Sequence, residues 1–193
     1  IPELSNPKIH FIPPDRLLEV IDRYDRRIGY DLYGMIYIRT MGFSGLRTRN
    51  ARCLRKESFH LDRGTFDTGI TKNGKKYELP VPDDLKNLLR RVPDFDQPGP
   101  LFQGRNGKLR GYQWCLKAFK EVCMVMELPD AGAWHTLRAS YATYLIRSGV
   151  DLLLVKELMT HETLEMILRY AGLEKRDLAE AHVKGIEFLR KAR

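Results

Sequence analysis

Six residues stand out for the chemistry their side chains can do. Tyr170 follows His161 by nine positions in "HETLEMILRYAG"; His135 and Arg138 stand three apart in "HTLR"; Arg47 closes "GLR"; Lys72 immediately precedes Asn73–Gly74. Guanidinium groups hold anions through paired, charge-assisted hydrogen bonds. A phenol beside an apolar helical stripe is either a boundary tyrosine with its hydroxyl in water or a presented nucleophile. Taken singly, each of the others also has a plain reading. HxxR suits an exposed polar face. Arg47 is one arginine among Arg49, Arg52 and Arg55, and Lys72 is one charge beside Lys75 and Lys76 at a solvated turn.

The elements that must position these side chains follow from spacing. Leu164, Ile167, Leu168 and Ala171 fall at i, i+3, i+4 and i+7, a helical stripe over 163–172. At about 100° per residue Tyr170 lies roughly 110° from the centre of that stripe, on its flank. In the helix expected over 135–148, Leu137, Tyr141, Tyr144 and Leu145 form the stripe, and His135 and Arg138 project together off it. Leu46 opens a helix whose first turn carries Arg47, where backbone N–H groups also favour an anion.

The remaining segments frame these. "IPELSNPKIHFIPP" reads as an extended lead-in over 1–14, followed by a helix opening at Pro14–Asp15. A second helix runs over about 31–41 until "GFSG" breaks it. "SFHLD", "GTFDTGIT" and "KKYELPV" predict three antiparallel strands over 57–81, with Asn73–Gly74 as a hairpin tip and Lys72 just before it. Helices are expected at 83–91, 112–126 and 151–159, "LFQGRNGKLR" as a basic connector, and an amphipathic helix over 176–193. The fold class is α+β, mainly helical with a small three-stranded antiparallel sheet.

Composition narrows the partners. The chain has 193 residues, with 33 Lys+Arg against 25 Asp+Glu, a net charge of +8. That sign favours a polyanion, nucleic acid first. Three widely spaced cysteines, Cys53, Cys115 and Cys123, offer neither a disulfide framework nor a zinc-ligand spacing, and point to a reducing compartment. No apolar run approaches the roughly 20 residues of a membrane span, and no secretory leader is evident.

In chain order, "GLR", a lysine at a hairpin tip, "HTLR", a histidine 23 residues after Arg138 and a tyrosine nine residues beyond it resemble the catalytic domain of the tyrosine recombinases, the phage-integrase family. The likeness runs from about Lys8 to the last helix and is densest in "HTLRASYATYLIRSGVDLLLVKELMTH…RYAG". It implies the family's DNA breaking-rejoining fold. It also implies cutting of one strand of double-stranded DNA to give a 3′-phosphotyrosyl link and a free 5′-hydroxyl, then rejoining by a second 5′-hydroxyl. Residue by residue, it makes Arg47 and Arg138 the phosphate-binding arginines, Lys72 the hairpin lysine, His135 and His161 the two histidines, and Tyr170 the nucleophile. It implies no metal and no nucleotide cofactor.

Chemistry agrees with these roles. A pentacoordinate phosphorane carries extra negative charge that two guanidinium forks can hold. A phenol with a pKa near 10 needs its proton removed or its oxyanion stabilised. His135 is the better base candidate; His161 can hydrogen-bond a phosphate oxygen. The leaving 5′-alkoxide needs a proton, which a hairpin lysine can bring.

Two positions depart from the family pattern. Asn50 stands where an acidic residue usually follows the first arginine by three, and an amide holds a guanidinium less strongly than a carboxylate. Ala139 stands where the family often has histidine. Family members usually carry an N-terminal helical domain that this sequence lacks, so the chain is expected to be the catalytic half (1–193) of a longer recombinase, working in the cytoplasm on the nucleoid, monomeric alone and tetrameric on DNA at full length. The last segment, with Val183, Ile186 and Leu189 on one side, packs either on its own domain or on a neighbouring protomer. Rival readings are a type IB topoisomerase-like enzyme and a non-catalytic DNA-binding protein on the same fold.

Overall fold

The computed structural model describes residues 10–27, 31–69, 74, 76–104, 107–159, 167 and 183. Helix α1 (Pro14–Asp25) starts on a proline, carries Asp15 in its first turn and buries Leu17, Val20, Ile21 and Tyr24 along one face. Helix α2 (Leu32–Ser44) is capped by Asp31, whose carboxylate accepts from Gly34 N–H at 3.0 Å, and is buried along nearly its whole length.

The expected break at "GFSG" is displaced. Gly42 and Phe43 stay helical, and the end falls at Gly45, whose left-handed φ of 60° closes the helix by donating to the Met41 carbonyl at 3.1 Å. Gly42 faces Leu17, and a Cβ there would meet it at 3.7 Å, an ordinary contact, so neither space nor backbone conformation demands glycine at this position. Helix α3 (Thr48–Arg52) is a single short turn and a half.

The sheet has the expected order and sense, with shorter strands: β1 (Phe59–His60), β2 (Thr65–Asp67) and β3 (Glu78–Pro80), in order β1-β2-β3. Phe59 pairs with Phe66, and Phe66 with Leu79. Phe59 and Phe66 stack at 5.2 Å and turn that face into the core. Helix α4 (Asp83–Leu89) follows. The connector is folded rather than extended: Gln103 bridges Leu109, and Arg110 N–H donates to the Phe102 carbonyl at 2.9 Å. Helix α5 begins later than expected (Leu116–Val125), because 111–114 form a turn and Cys115 takes a left-handed conformation.

Helix α6 (Trp134–Arg147) packs against α2 in the middle of the molecule. It has no simple stripe. Trp134, Thr136, Leu137, Ala139, Ser140, Ala142 and Thr143 are buried, while Tyr141, Tyr144 and Leu145, expected to be the buried face, are only partly so. Helix α7 (Leu152–Leu158) is capped by Asp151. Two apolar cores result. The larger unites α1, α2, α4, α5, the sheet and the start of α6; the smaller gathers Ala142, Val155, Met159 and Ile167. The helices expected over 163–172 and 176–193 lie outside the described residues, apart from Ile167 and Val183, both helical.

Candidate active site

Three of the six residues are described. His135 is exposed at the second position of α6, directly after Trp134. Trp134 is fully buried, stacked on Phe119 at 5.1 Å and edge-on to Tyr37 at 5.1 Å, with its indole N–H donating to the Tyr112 carbonyl at 3.1 Å. The indole fixes the start of α6, so the imidazole one residue on is presented from a rigid base. Arg138, one turn later, is half-buried.

Arg138 is the hinge of the arrangement. One terminal nitrogen donates to the Gly45 carbonyl and the other to the Met159 carbonyl. Gly45 is two residues before Arg47, and Met159 is two residues before His161. The guanidinium therefore joins the two segments that lead into those residues. Gly45 must be glycine on two counts. Its φ is positive, and a Cβ would lie 2.4 Å from the Tyr141 ring and 3.0 Å from the Met159 sulfur.

Arg47 is half-buried at the N-cap of α3, in extended conformation, rather than within a first helical turn. Five residues of helix make a weak dipole, so the expected anion preference at this helix end has little to draw on. Asn50 lies inside α3, its backbone carbonyl accepting from Cys53 N–H at 3.1 Å. Ala139 is buried in α6, where a histidine ring would have to displace core atoms.

Lys72, His161 and Tyr170 lie outside the described residues, as does Lys75. The stem of the Lys72 hairpin is described. Lys76 pairs with Asp67 at 2.7 Å, and His60 approaches the same carboxylate at 3.4 Å. The Lys76 hydrogen bond, with His60 adding to it against some desolvation, holds Asp67 below the usual aspartate range. The other tyrosines near Arg138 are poorly suited to attack. Burial raises the pKa of both Tyr141 and Tyr144, and the Tyr144 hydroxyl donates to the Ile12 carbonyl at 2.5 Å. Among the described residues no group of three His, Cys, Asp or Glu side chains is placed to hold a metal, and no helix is long and apolar enough to cross a membrane.

The sequence reasoning passed over Gly45 and Met159 as acceptors. "GLR" and "ELMTH" hold the only sequence trace of them.

The family model described as "Phage integrase family" matches residues 14–176. Tyrosine recombinase XerA of Thermococcus kodakarensis is 30% identical over 180 residues, covering 88% of this chain and 59% of the relative. XerA of Pyrococcus furiosus is 28% identical over 198 residues, 92% of this chain and 64% of the relative. The chain thus spans less than two thirds of these relatives. Among solved structures, XerH bound to difH substrate in a pre-cleavage complex superposes with a TM-score of 0.78 at 21% identity, over 93% of this chain and 56% of that one. The catalytic domain of bacteriophage HP1 integrase superposes with a TM-score of 0.64 at 23% identity, over 92% and 95%.

Proposed function

Because this chain belongs to the phage integrase family, we propose that it is the catalytic domain of a site-specific DNA recombinase. It cuts and rejoins strands of duplex DNA through a 3′-phosphotyrosyl intermediate, with no metal or nucleotide cofactor. The observation that carries the reading is the Arg138 junction, which draws the segments leading into Arg47 and His161 onto the helix that bears His135 and Arg138. The partner is double-stranded DNA; the full-length protein works as a tetramer on it, in the cytoplasm on the nucleoid. The net charge of +8 and the DNA substrate in the XerH complex support that partner.

In this reading Arg47 and Arg138 hold the non-bridging oxygens of the scissile phosphate, and the charge they offset grows as the phosphorane forms. His135 takes the Tyr170 proton while the phenolic oxygen bonds to phosphorus. The bond from phosphorus to the 5′-oxygen breaks, and the Lys72 ammonium supplies that oxygen with its proton. His161 hydrogen-bonds the phosphate. A second 5′-hydroxyl then attacks the phosphotyrosine and releases the phenol, so the bond energy is conserved between strands.

The test is a duplex nicked just beyond the cleavage point, so that the short fragment bearing the new 5′-hydroxyl is lost and the intermediate is trapped. The protein is expected to form a covalent adduct mapping to Tyr170, and Tyr170→Phe to bind DNA with none. An adduct on Tyr141 or Tyr144, or none at all from the unaltered protein, overturns the reading.

A further inference from the structure

Among the described residues, a contact made by none of the six ties the β2–β3 hairpin to the helix that leads towards the candidate site. The Tyr77 hydroxyl donates to Glu157 Oε1 at 2.8 Å, across 80 residues of sequence. Tyr77 is half-buried at the base of the hairpin. Its N–H donates to Thr68 Oγ1 at 3.1 Å, and its carbonyl accepts from Thr68 N–H at 2.9 Å. The next residue back, Lys76, closes the same stem through Asp67. Glu157 sits in the last turn of α7, two residues before Met159, whose carbonyl Arg138 holds. Hairpin stem and arginine are therefore joined through one turn of helix.

We propose that Tyr77 and Glu157 are positioning residues that set the hairpin stem against α7, and through it against Arg138, so that a lysine on that hairpin meets the leaving 5′-oxygen. The proposal rests on the reading of Lys72, five residues before Tyr77, as the proton donor. Proton transfer demands hydrogen-bond reach, and small displacements of a positioned group are costly in rate. A side-chain tie at the base of a hairpin adds to the placement that its strand pairing gives. Tyr77 offers a stiff ring with one donor at its end, and Glu157 a charged acceptor that strengthens the bond. Lys76 pairs with Asp67 in the stem itself, four residues beyond Lys72.

The experiment compares cleavage of two nicked duplexes, one with an ordinary 5′-bridging oxygen and one with sulfur there. A thiolate leaves without being protonated, so only losses of proton donation are relieved by sulfur. Tyr77→Phe and Glu157→Ala are expected to slow the oxygen substrate about tenfold, the scale of one hydrogen bond to a charged group. On the sulfur substrate both are expected to return to within about twofold of the unaltered protein, a margin small beside the tenfold loss. Glu157→Gln keeps an acceptor oxygen and is expected to retain most of the oxygen rate. Equal losses on both substrates, or none on either, overturn the proposal. Lys72→Ala separates the two layers. If it is rescued by sulfur while Tyr77→Phe is not, the positioning role alone fails. If Lys72→Ala is not rescued, the proton-donor reading fails and takes this proposal with it.

Discussion

The larger and smaller cores meet at Arg138, and they are built from different material. On one side Trp134, Tyr37, Phe102 and Phe119 interlock ring to ring, and Arg39 is buried between Asp25 and Asp84. This clamp ties α2 to the end of α1 and the start of α4. On the other side, among the described residues, Ala142, Val155, Met159 and Ile167, with Tyr141, Leu145, Ile146, Val150 and Leu152 around them, hold α7, while Leu153 and Leu154 of that helix face outwards. A seven-residue helix that turns two leucines outwards opens at lower free energy than a dense core. His135 and the Arg47 segment rest on the dense side. Met159 and Ile167 belong to the smaller cluster.

This contrast can be broken most forcefully at Trp134. Trp134→Ala removes a ring stacked on Phe119 and should cost about 3–5 kcal/mol, lowering the midpoint of the whole unfolding transition seen by circular dichroism. A loss below about 1 kcal/mol, the scale of an ordinary substitution, would show that the aromatic cluster does not hold the frame. Val155→Ala addresses the smaller core and should cost about 2 kcal/mol. Amide exchange is expected to quicken in α7 while α2 and α6 keep their protection. Uniform quickening would make the two cores one cooperative unit.

The smallest effect sharpens the comparison by contrast with both cores, because the sheet's rim is held by charge. Asp67 has a depressed pKa in the folded protein, so its pairing contributes fully above the ordinary aspartate value near 3.9 and is lost as pH falls through the lower folded value. The pair is largely solvent-exposed at Lys76, so the contribution is under about 1 kcal/mol. Asp67→Asn should flatten the acid limb of the stability curve slightly and leave neutral pH within that same margin. An unchanged acid limb would mean that the pair does not couple to folding.

Much of the frame was legible because it is written in local signals. Pro14 with Asp15, and Asn73–Gly74 between two strand-like runs, each specify an element within a few residues. Misjudged positions were those where packing decides. Gly42 reads as a breaker yet lies inside α2, because a helix buried along nearly its whole length is held by packing that outweighs one glycine's propensity. The stripe on α6 dissolves because the helix is covered on most sides. The folded connector was missed because Gln103 and Leu109 pair through backbone groups, which any residue supplies. The same holds at the candidate site. Motif order identified the side chains, but the acceptors gripping Arg138 are carbonyls 93 and 21 residues away, and carbonyls leave no mark in a sequence.

Ile12 has a consequence of a mechanical kind. Its N–H donates to Ser140 Oγ at 2.8 Å, its carbonyl accepts from the Tyr144 hydroxyl, and its side chain is fully buried. Pro13 and Pro14 follow at once and have no N–H to unzip. Tension applied from the residues before His10 crosses the His10–Asp130 pair and the Phe11–Arg147 contact, then loads Ile12 and passes sideways into α6, five residues along the helix from His135, before any of it reaches α1. A tug on that end of the chain is delivered to the helix that carries His135 and Arg138, as through a bell-wire anchored to the clapper rather than to the frame.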